Sequence, residues 1–267
     1  VTAISATLVK ELREMTGAGI MDAKRALQET GGDIDAAQRV LRERGMASAA
    51  KRAGRATTEG KVGYRIAPDG HRGSIVGVGC ETEPVSNNDE FLAFAEKVLS
   101  AIDERGVGAE AELEDERTAL SAKLGENITI VLPARFERVD GGVIAGYAHP
   151  PANKLGVLVQ IRGGGEELAR RLAMHIAWSD PEWIAREDVP DDVVGAEREI
   201  LMSTDQVQEK PEQAREKIVG GMLNKHFFGK RVLADQEWIH DDSLSVAKVL
   251  QTERAEVVEF QRVALTG

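Results

Sequence analysis

The chain has 267 residues, long enough for two or three small modules, and 42% of them are apolar, enough to fill cores. Lys and Arg number 34 against 45 Asp and Glu, and the net charge of −11 argues against a phosphate backbone as principal ligand, because such a partner needs neutralising cations, although a local basic patch stays open. A single cysteine, Cys80, rules out an intrachain disulfide and a cysteine-based zinc site, and no apolar run approaches the roughly 18–20 residues that span a bilayer.

Residues 1–10 lack the basic stretch and apolar core of a secretory signal, so a cytoplasmic, reducing compartment is expected. Residues 1–54 read as three short helices. Leu8, Leu12 and Met15 share one helical face, Ser5 can cap its start, and Thr16-Gly17-Ala18-Gly19 ends it. A second helix is predicted over 20–29 with Ala23, Ala26 and Leu27 inward. Gly31-Gly32-Asp33 makes a turn and cap before a third apolar stripe of Ile34, Ala37, Val40 and Leu41. Lys51, Arg52 and Arg55 among small residues suit a solvated helical tail over 47–56, with a linker at 55–60.

From residue 61 the period changes to that of strands. Runs at 61–66 and 73–80 flank Pro68-Asp69-Gly70, which is hairpin-turn chemistry. Helices are predicted near 89–102, with Phe91, Phe94, Ala95, Val98 and Leu99 on one face, and near 113–124; a strand follows at 128–138. The second half repeats this order: strands at 142–148 and 155–162, then a helix at 166–179. At an offset of 83, Tyr64 matches Tyr147, Gly73 matches Gly156, and Ile75, Val76 and Val78 match Leu158, Val159 and Ile161, so duplication of an α+β unit is the simplest reading. Residues 190–226 are charged and helical in pattern with a break at Lys210-Pro211, as in a protruding hairpin. The remainder supplies a helix (Val246, Val249 and Leu250 inward) and a strand that close the second unit.

Enzyme motifs are missing: there is no phosphate-cradling loop with Lys-Ser/Thr, no His-Glu-x-x-His and no Gly-x-Ser-x-Gly. Gly163-Gly164-Gly165 superficially offers an anion site but reads as a strand-to-helix turn. The five histidines are scattered, so no metal site is expected, and His175 beside Leu172 and Ile176 reads as packed. Trp178 and Trp183 read as core anchors, and Cys80 as a small hydrophobe at a strand end. Glu81 and Glu83 invite an acid–base reading, yet the polar segment 81–89 between strand and helix better suits recognition.

The string Leu8-Val9-Lys10-Glu11-Leu12-Arg13-Glu14-Met15-Thr16-Gly17-Ala18-Gly19-Ile20-Met21-Asp22, continued by Ala23-Lys24-Arg25-Ala26-Leu27 and Gly32-Asp33-Ile34, resembles the signature of the bacterial elongation factor Ts family. Cys80-Glu81-Thr82-Glu83-Pro84-Val85 is similar to that family's second signature, with Glu83-Pro84 where the family usually has Asp-Phe. Leu124-Gly125-Glu126-Asn127-Ile128, Gly146-Tyr147-Ala148-His149, Gly156-Val157-Leu158-Val159 and Ala173-Met174-His175-Ile176-Ala177 extend the resemblance over residues 2 to about 262. A C-terminal module found in some members is not expected.

The resemblance implies an α+β protein: a UBA-like three-helix domain (1–54), a linker (55–60), two related core subdomains with small antiparallel sheets (61–141, and 142–188 with 227–267) and an inserted helical hairpin (189–226). It implies no enzyme and no cofactor, but a translation factor that binds GDP-bound elongation factor Tu and promotes GDP release. It further implies that Lys10, Arg13, Ile20, Met21, Leu124, Gly125, Asn127 and His149 contact this partner, while Thr82, Glu83, Pro84 and Val85 dislodge the partner's Mg²⁺. Neither nucleic acid nor membrane is an expected partner; a homodimer within a two-to-two complex is admitted. The rival reading is a UBA-type adaptor without exchange activity. Nucleic-acid binding through Lys51, Arg52 and Arg55 is disfavoured by the net charge and by the 4% aromatic content.

Overall fold

A computed structural model describes residues 4–265. Helices α1 (Ala6–Thr16), α2 (Ile20–Glu29) and α3 (Ile34–Arg52) come first. Ser5 and Asp33 cap α1 and α3 by accepting from Leu8 N–H and Ala36 N–H, and Gly17 ends α1 in left-handed geometry. Leu12, Ala23, Ala26, Leu27 and Ala37 form the small core they share. Met15 departs from expectation: it is 50% exposed, because α2 and α3 cover the Leu8–Leu12 side of α1 and leave its last turn open. The middle of α3 packs on α6 (Glu114–Leu124), with Gly45 close against Ala122 and Arg42 paired to Asp115 at 2.6 Å.

Two three-stranded antiparallel sheets follow, ordered β1–β2–β3 and β4–β5–β6. The first holds β1 (Glu59–Ile66), β2 (Arg72–Cys80) and β3 (Thr129–Glu137), the second β4 (Gly142–Ala148), β5 (Leu155–Arg162) and β6 (Glu256–Ala264). Between β2 and β3 lie a one-turn helix α4 (Glu83–Ser86), then α5 (Asp89–Arg105) and α6. Between β5 and β6 lie α7 (Glu166–Ser179), the hairpin helices α8 (Asp191–Ser203), α9 (Asp205–Gln208) and α10 (Glu212–Met222), then α11 (Gly229–Arg231) and α12 (Val246–Glu253). A π-helical stretch, Leu223–Phe228, joins α10 to α11, so the helical run passes through the boundary expected at 226/227.

The central strands are buried on both faces, which is why they read as nearly continuous apolar runs. Val76, Val78 and Cys80 meet Phe91, Phe94 and Val98 of α5, while Val157, Val159 and Ile161 meet Leu172 and Ile176 of α7. Their opposite faces, with Ile75 on one sheet and Leu158 on the other, press together. The order is therefore helix, sheet, sheet, helix. Gly73 and Gly156 lie at this sheet-to-sheet contact: a Cβ on Gly73 would fall 2.7 Å from Ile144, and one on Gly156 would fall 2.7 Å from Val62.

Four of the five residue matches at the offset of 83 thus hold in space, but the tyrosines do not. Tyr64 pairs with Ile75 and Tyr147 with Val157, a slip of one residue that sends the two rings to opposite faces. Tyr147 packs toward α7, whereas Tyr64 lies over Gly146 between the sheets.

Gly163, Gly164 and Gly165 all have positive φ, and a Cβ on Gly163 would fall 2.2 Å from the Arg254 carbonyl oxygen, so the glycines serve the turn itself. Trp178 is 80% exposed, against its reading as a core anchor: it follows Ala177 on the side of α7 turned away from the sheet. Trp183 is half-buried against Phe227, with the Arg231 guanidinium 4.9 Å from its ring centre, in the separate core of the hairpin.

His175 is fully buried and neutral, stacked on Trp238; its Nε2–H donates to Gln236 Oε1 and its Nδ1 accepts from Ile239 N–H. The tautomer follows because the Gln236 amide nitrogen already donates to the Ser179 and Lys230 carbonyls. Burial pushes the imidazole down to about 4. Between its usual 6.5 and 4 the unfolded chain binds a proton that the folded chain refuses, so stability falls as pH drops through that window. Urea unfolding at pH 7 and pH 5 should show a smaller pH difference in His175→Gln than in the parent; an equal difference would place the sensitivity elsewhere.

Candidate functional site

Within the polar segment 81–89, Thr82 is extended and Glu83–Ser86 form the single helical turn α4. The Thr82 and Glu83 carbonyls accept locally: Ser86 N–H donates to Thr82 O and Asn87 N–H to Glu83 O. Pro84 sits inside the first turn, where a missing N–H costs nothing. Thr82, Glu83 and Pro84 are exposed, and Val85 turns inward onto the cluster of Phe91 and Val98. Pro84 is therefore an apolar tip on a polar turn.

The turn is held by the loop after α6. Leu124 ends that helix with its side chain on the core, and Gly125 caps it in left-handed geometry, exposed and with open space where a Cβ would be. The next two residues exchange bonds with the tip. The Glu126 carboxylate accepts from Glu81 N–H and Thr82 N–H at 3.0 Å each and from the Thr82 hydroxyl at 2.5 Å. In return the Glu81 carboxylate accepts from Asn127 N–H at 2.6 Å and pairs with Arg55 at 3.2 Å. These donors, the Asn127 N–H first, hold the Glu81 carboxyl below its usual range, so it is an anchored anion and no proton shuttle. Asn127 is 3% exposed and its side-chain amide donates to the Ala53 and Arg55 carbonyls, so it grips the start of the linker.

The N-terminal helices reach the same region. Ile20 and Met21 are 56% and 66% exposed and, with Met15, flank the turn between α1 and α2. That turn rests on Lys123, whose Cδ would lie 2.7 Å from a Cβ on Gly17 and whose Nζ donates to Glu90 at 2.5 Å, just past the tip. Arg13 is exposed and its Nε donates to the Ala18 carbonyl at 3.3 Å, closing the turn. Lys10 is exposed one turn earlier, where Glu14 lies 3.6 Å away on the same helix.

On the other side, Lys61 Nζ donates to Asn87 at 3.0 Å and to the Ala152 carbonyl at 3.2 Å, tying the end of the tip to the 149–154 loop. His149 is exposed in that loop, its Nδ1 2.7 Å from the Tyr147 hydroxyl. Ile20, Met21, Leu124, Gly125, the tip and His149 are thus linked through Lys123, Glu90, Lys61 and Asn87, while Lys10 stands apart. Sequence reading missed Glu126, Lys61 and Lys123. Their partners lie far away in the chain, and a charge outside the apolar faces carries no periodic signal.

Cys80 is buried beneath the tip, and burial pushes its thiol up to about 12, which leaves it unreactive near neutrality. Among the described residues no group of three or more His, Cys, Asp and Glu could hold a metal, and no helix is long and apolar enough to cross a membrane.

A family model described as Elongation factor TS matches residues 81–266. The Elongation factor Ts of Teredinibacter turnerae is 42% identical over 267 residues, covering 97% of this chain and 90% of its own length. That of Sodalis glossinidius is 42% identical over 263 residues, with 97% and 90% covered. The Elongation factor Ts of Alkalilimnicola ehrlichii is 40% identical over 272 residues, with 97% and 91% covered.

Proposed function

The chain belongs to the elongation factor Ts family, and from that premise we propose that it binds GDP-bound elongation factor Tu and speeds GDP release by disturbing the partner's Mg²⁺ and phosphate site. In this reading residues 1–54 are a UBA-like docking domain, residues 61–141 and the second sheet unit form the core, and the hairpin is an insertion. Lys10, Arg13, Ile20 and Met21 dock on the GTPase, Leu124, Gly125, Asn127 and His149 extend the contact, and the segment 82–85 enters beside the metal.

The observation that carries the mechanism is the α4 turn, with Pro84 exposed at its tip and its amino end anchored to Glu126. Mg²⁺ bridges phosphate oxygens and orders the switch region of a GTPase, so displacing that region weakens metal and nucleotide together. Exchange factor and GDP then lower each other's affinity by the same factor. No covalent bond is made or broken.

A 10⁴-fold acceleration requires roughly 5.5 kcal/mol off the barrier. That exceeds what one proline contact supplies, at about 25 cal/mol per Å² of apolar area buried. The tip therefore acts together with strain imposed by the docked N-terminal helices and second sheet unit. Pro84, smaller than the phenylalanine usual in the family, is a stiff wedge with fixed φ.

Calorimetry with the GDP-loaded GTPase tests the docking half of the proposal. Arg13→Glu should raise Kd about tenfold, roughly 1.4 kcal/mol, with little change in melting because the side chain is exposed. Unchanged affinity would remove α1 from the interface.

A further inference from the structure

Resting on the exchange function proposed above, we infer that Glu126 is the positioning residue of the tip: its carboxylate holds the amino end of α4 and so sets where Pro84 stands. A four-residue helix does not hold itself, because the first turn fixes several dihedrals for a single hydrogen bond, with a nucleation constant of about 10⁻³. Thr82, the cap residue, makes no side-chain bond to its own turn. Its hydroxyl goes to Glu126, together with two backbone N–H groups. Three donors on one carboxylate are charge-assisted bonds, the stronger kind. At the other end the turn closes on itself, with the Ser86 hydroxyl and the Asn87 amide both donating to the Glu83 carbonyl.

Glu126 is itself fixed. The Ser121 hydroxyl donates to its carbonyl at 2.5 Å, and the neighbouring Asn127 N–H is held by the Glu81 carboxylate. Through α6 and Lys123 this anchor is continuous with the turn between α1 and α2, so a docked N-terminal region and the tip share one frame. Glu126 is only half-buried and lies outside the apolar clusters. Its removal should therefore disturb the tip and spare the core.

The test is Glu126→Gln in the full chain, which keeps the shape, replaces one acceptor oxygen by an amide N–H₂ and removes the charge that strengthens all three bonds. GDP release from the GDP-loaded GTPase is measured against exchange-factor concentration. The saturating rate should fall about tenfold, equivalent to about 1.4 kcal/mol, while the half-saturating concentration moves less than about twofold. In a Pro84→Gly background Glu126→Gln should add no further loss, since both act through the tip. A full saturating rate in Glu126→Gln, or an additive loss in the Pro84→Gly background, overturns the inference. If the unmutated chain gives no acceleration at all, the exchange function fails instead. Hydrogen exchange at the Thr82 N–H then decides the anchor: faster exchange in Glu126→Gln supports it, and unchanged protection overturns it.

Discussion

Replacing Glu83 and Pro84 together by glycine lowers the saturating rate of GDP release by about tenfold or more, equivalent to at least about 1.4 kcal/mol, and lowers affinity for the GTPase by less. The asymmetry follows from position. In the proposed complex docking is spread over Arg13, Ile20, Met21, Gly125 and His149, all exposed, whereas the tip is the part expected beside the metal. Contacts made only when the switch region has moved raise the rate, and contacts made throughout raise affinity. Glycine also loosens the backbone of a turn that Pro84 stiffens. Pro84→Phe supplies a larger wedge on the same frame and should maintain or increase the rate. Equal release by the parent and the double-glycine variant at saturation would remove the tip from the mechanism and assign exchange to strain from the remaining interface.

The largest stability effect belongs to Phe91→Ala. Phe91 opens α5 immediately after the tip, is fully buried, and packs among Cys80, Val85, Phe94 and Ile128. Truncation removes transfer free energy and leaves a cavity between helix and sheet, a loss of about 3–5 kcal/mol. In urea the midpoint should fall with the slope unchanged, since the surface exposed on unfolding is nearly the same. A loss under about 1 kcal/mol would mean that α5 collapses onto the sheet and that the core there is loosely packed.

Much of the fold is legible locally. Ser5 before α1, Gly17 after it and Asp33 before α3 each settle a boundary through the backbone groups that a helix end leaves unpaired. The two-sided burial of β2 and β5 is visible as uninterrupted apolar runs. What periodicity cannot say is which neighbour covers a face. Met15 sits on the apolar stripe of α1 yet is exposed, and Trp178 is exposed where its size argued for burial.

The tyrosine match failed for a related reason: a single-residue slip in register reverses a strand's faces, and composition is blind to it. Asp103 shows the limit for charge. It lies just past the helix end expected at 102, is nearly buried, and accepts from Arg72 at 3.0 Å and Ser74 at 3.1 Å. The Arg72 guanidinium holds its carboxyl below the usual range. In the candidate site the tip and the exposed Ile20–Met21 pair were readable from motif strings, while the Glu126 anchor and the Lys61 bridge depend on contacts 26 to 91 residues apart in sequence.

The central claim is nucleotide exchange, and release of fluorescently labelled GDP from the cognate elongation factor Tu tests it most directly. With Mg²⁺ and excess unlabelled GDP present, adding this protein should speed label loss and saturate with its concentration. Raising Mg²⁺ should oppose the effect, because under the proposed mechanism metal and exchange factor weaken each other's binding. A release rate independent of the protein at every concentration, despite measurable binding, would contradict the account.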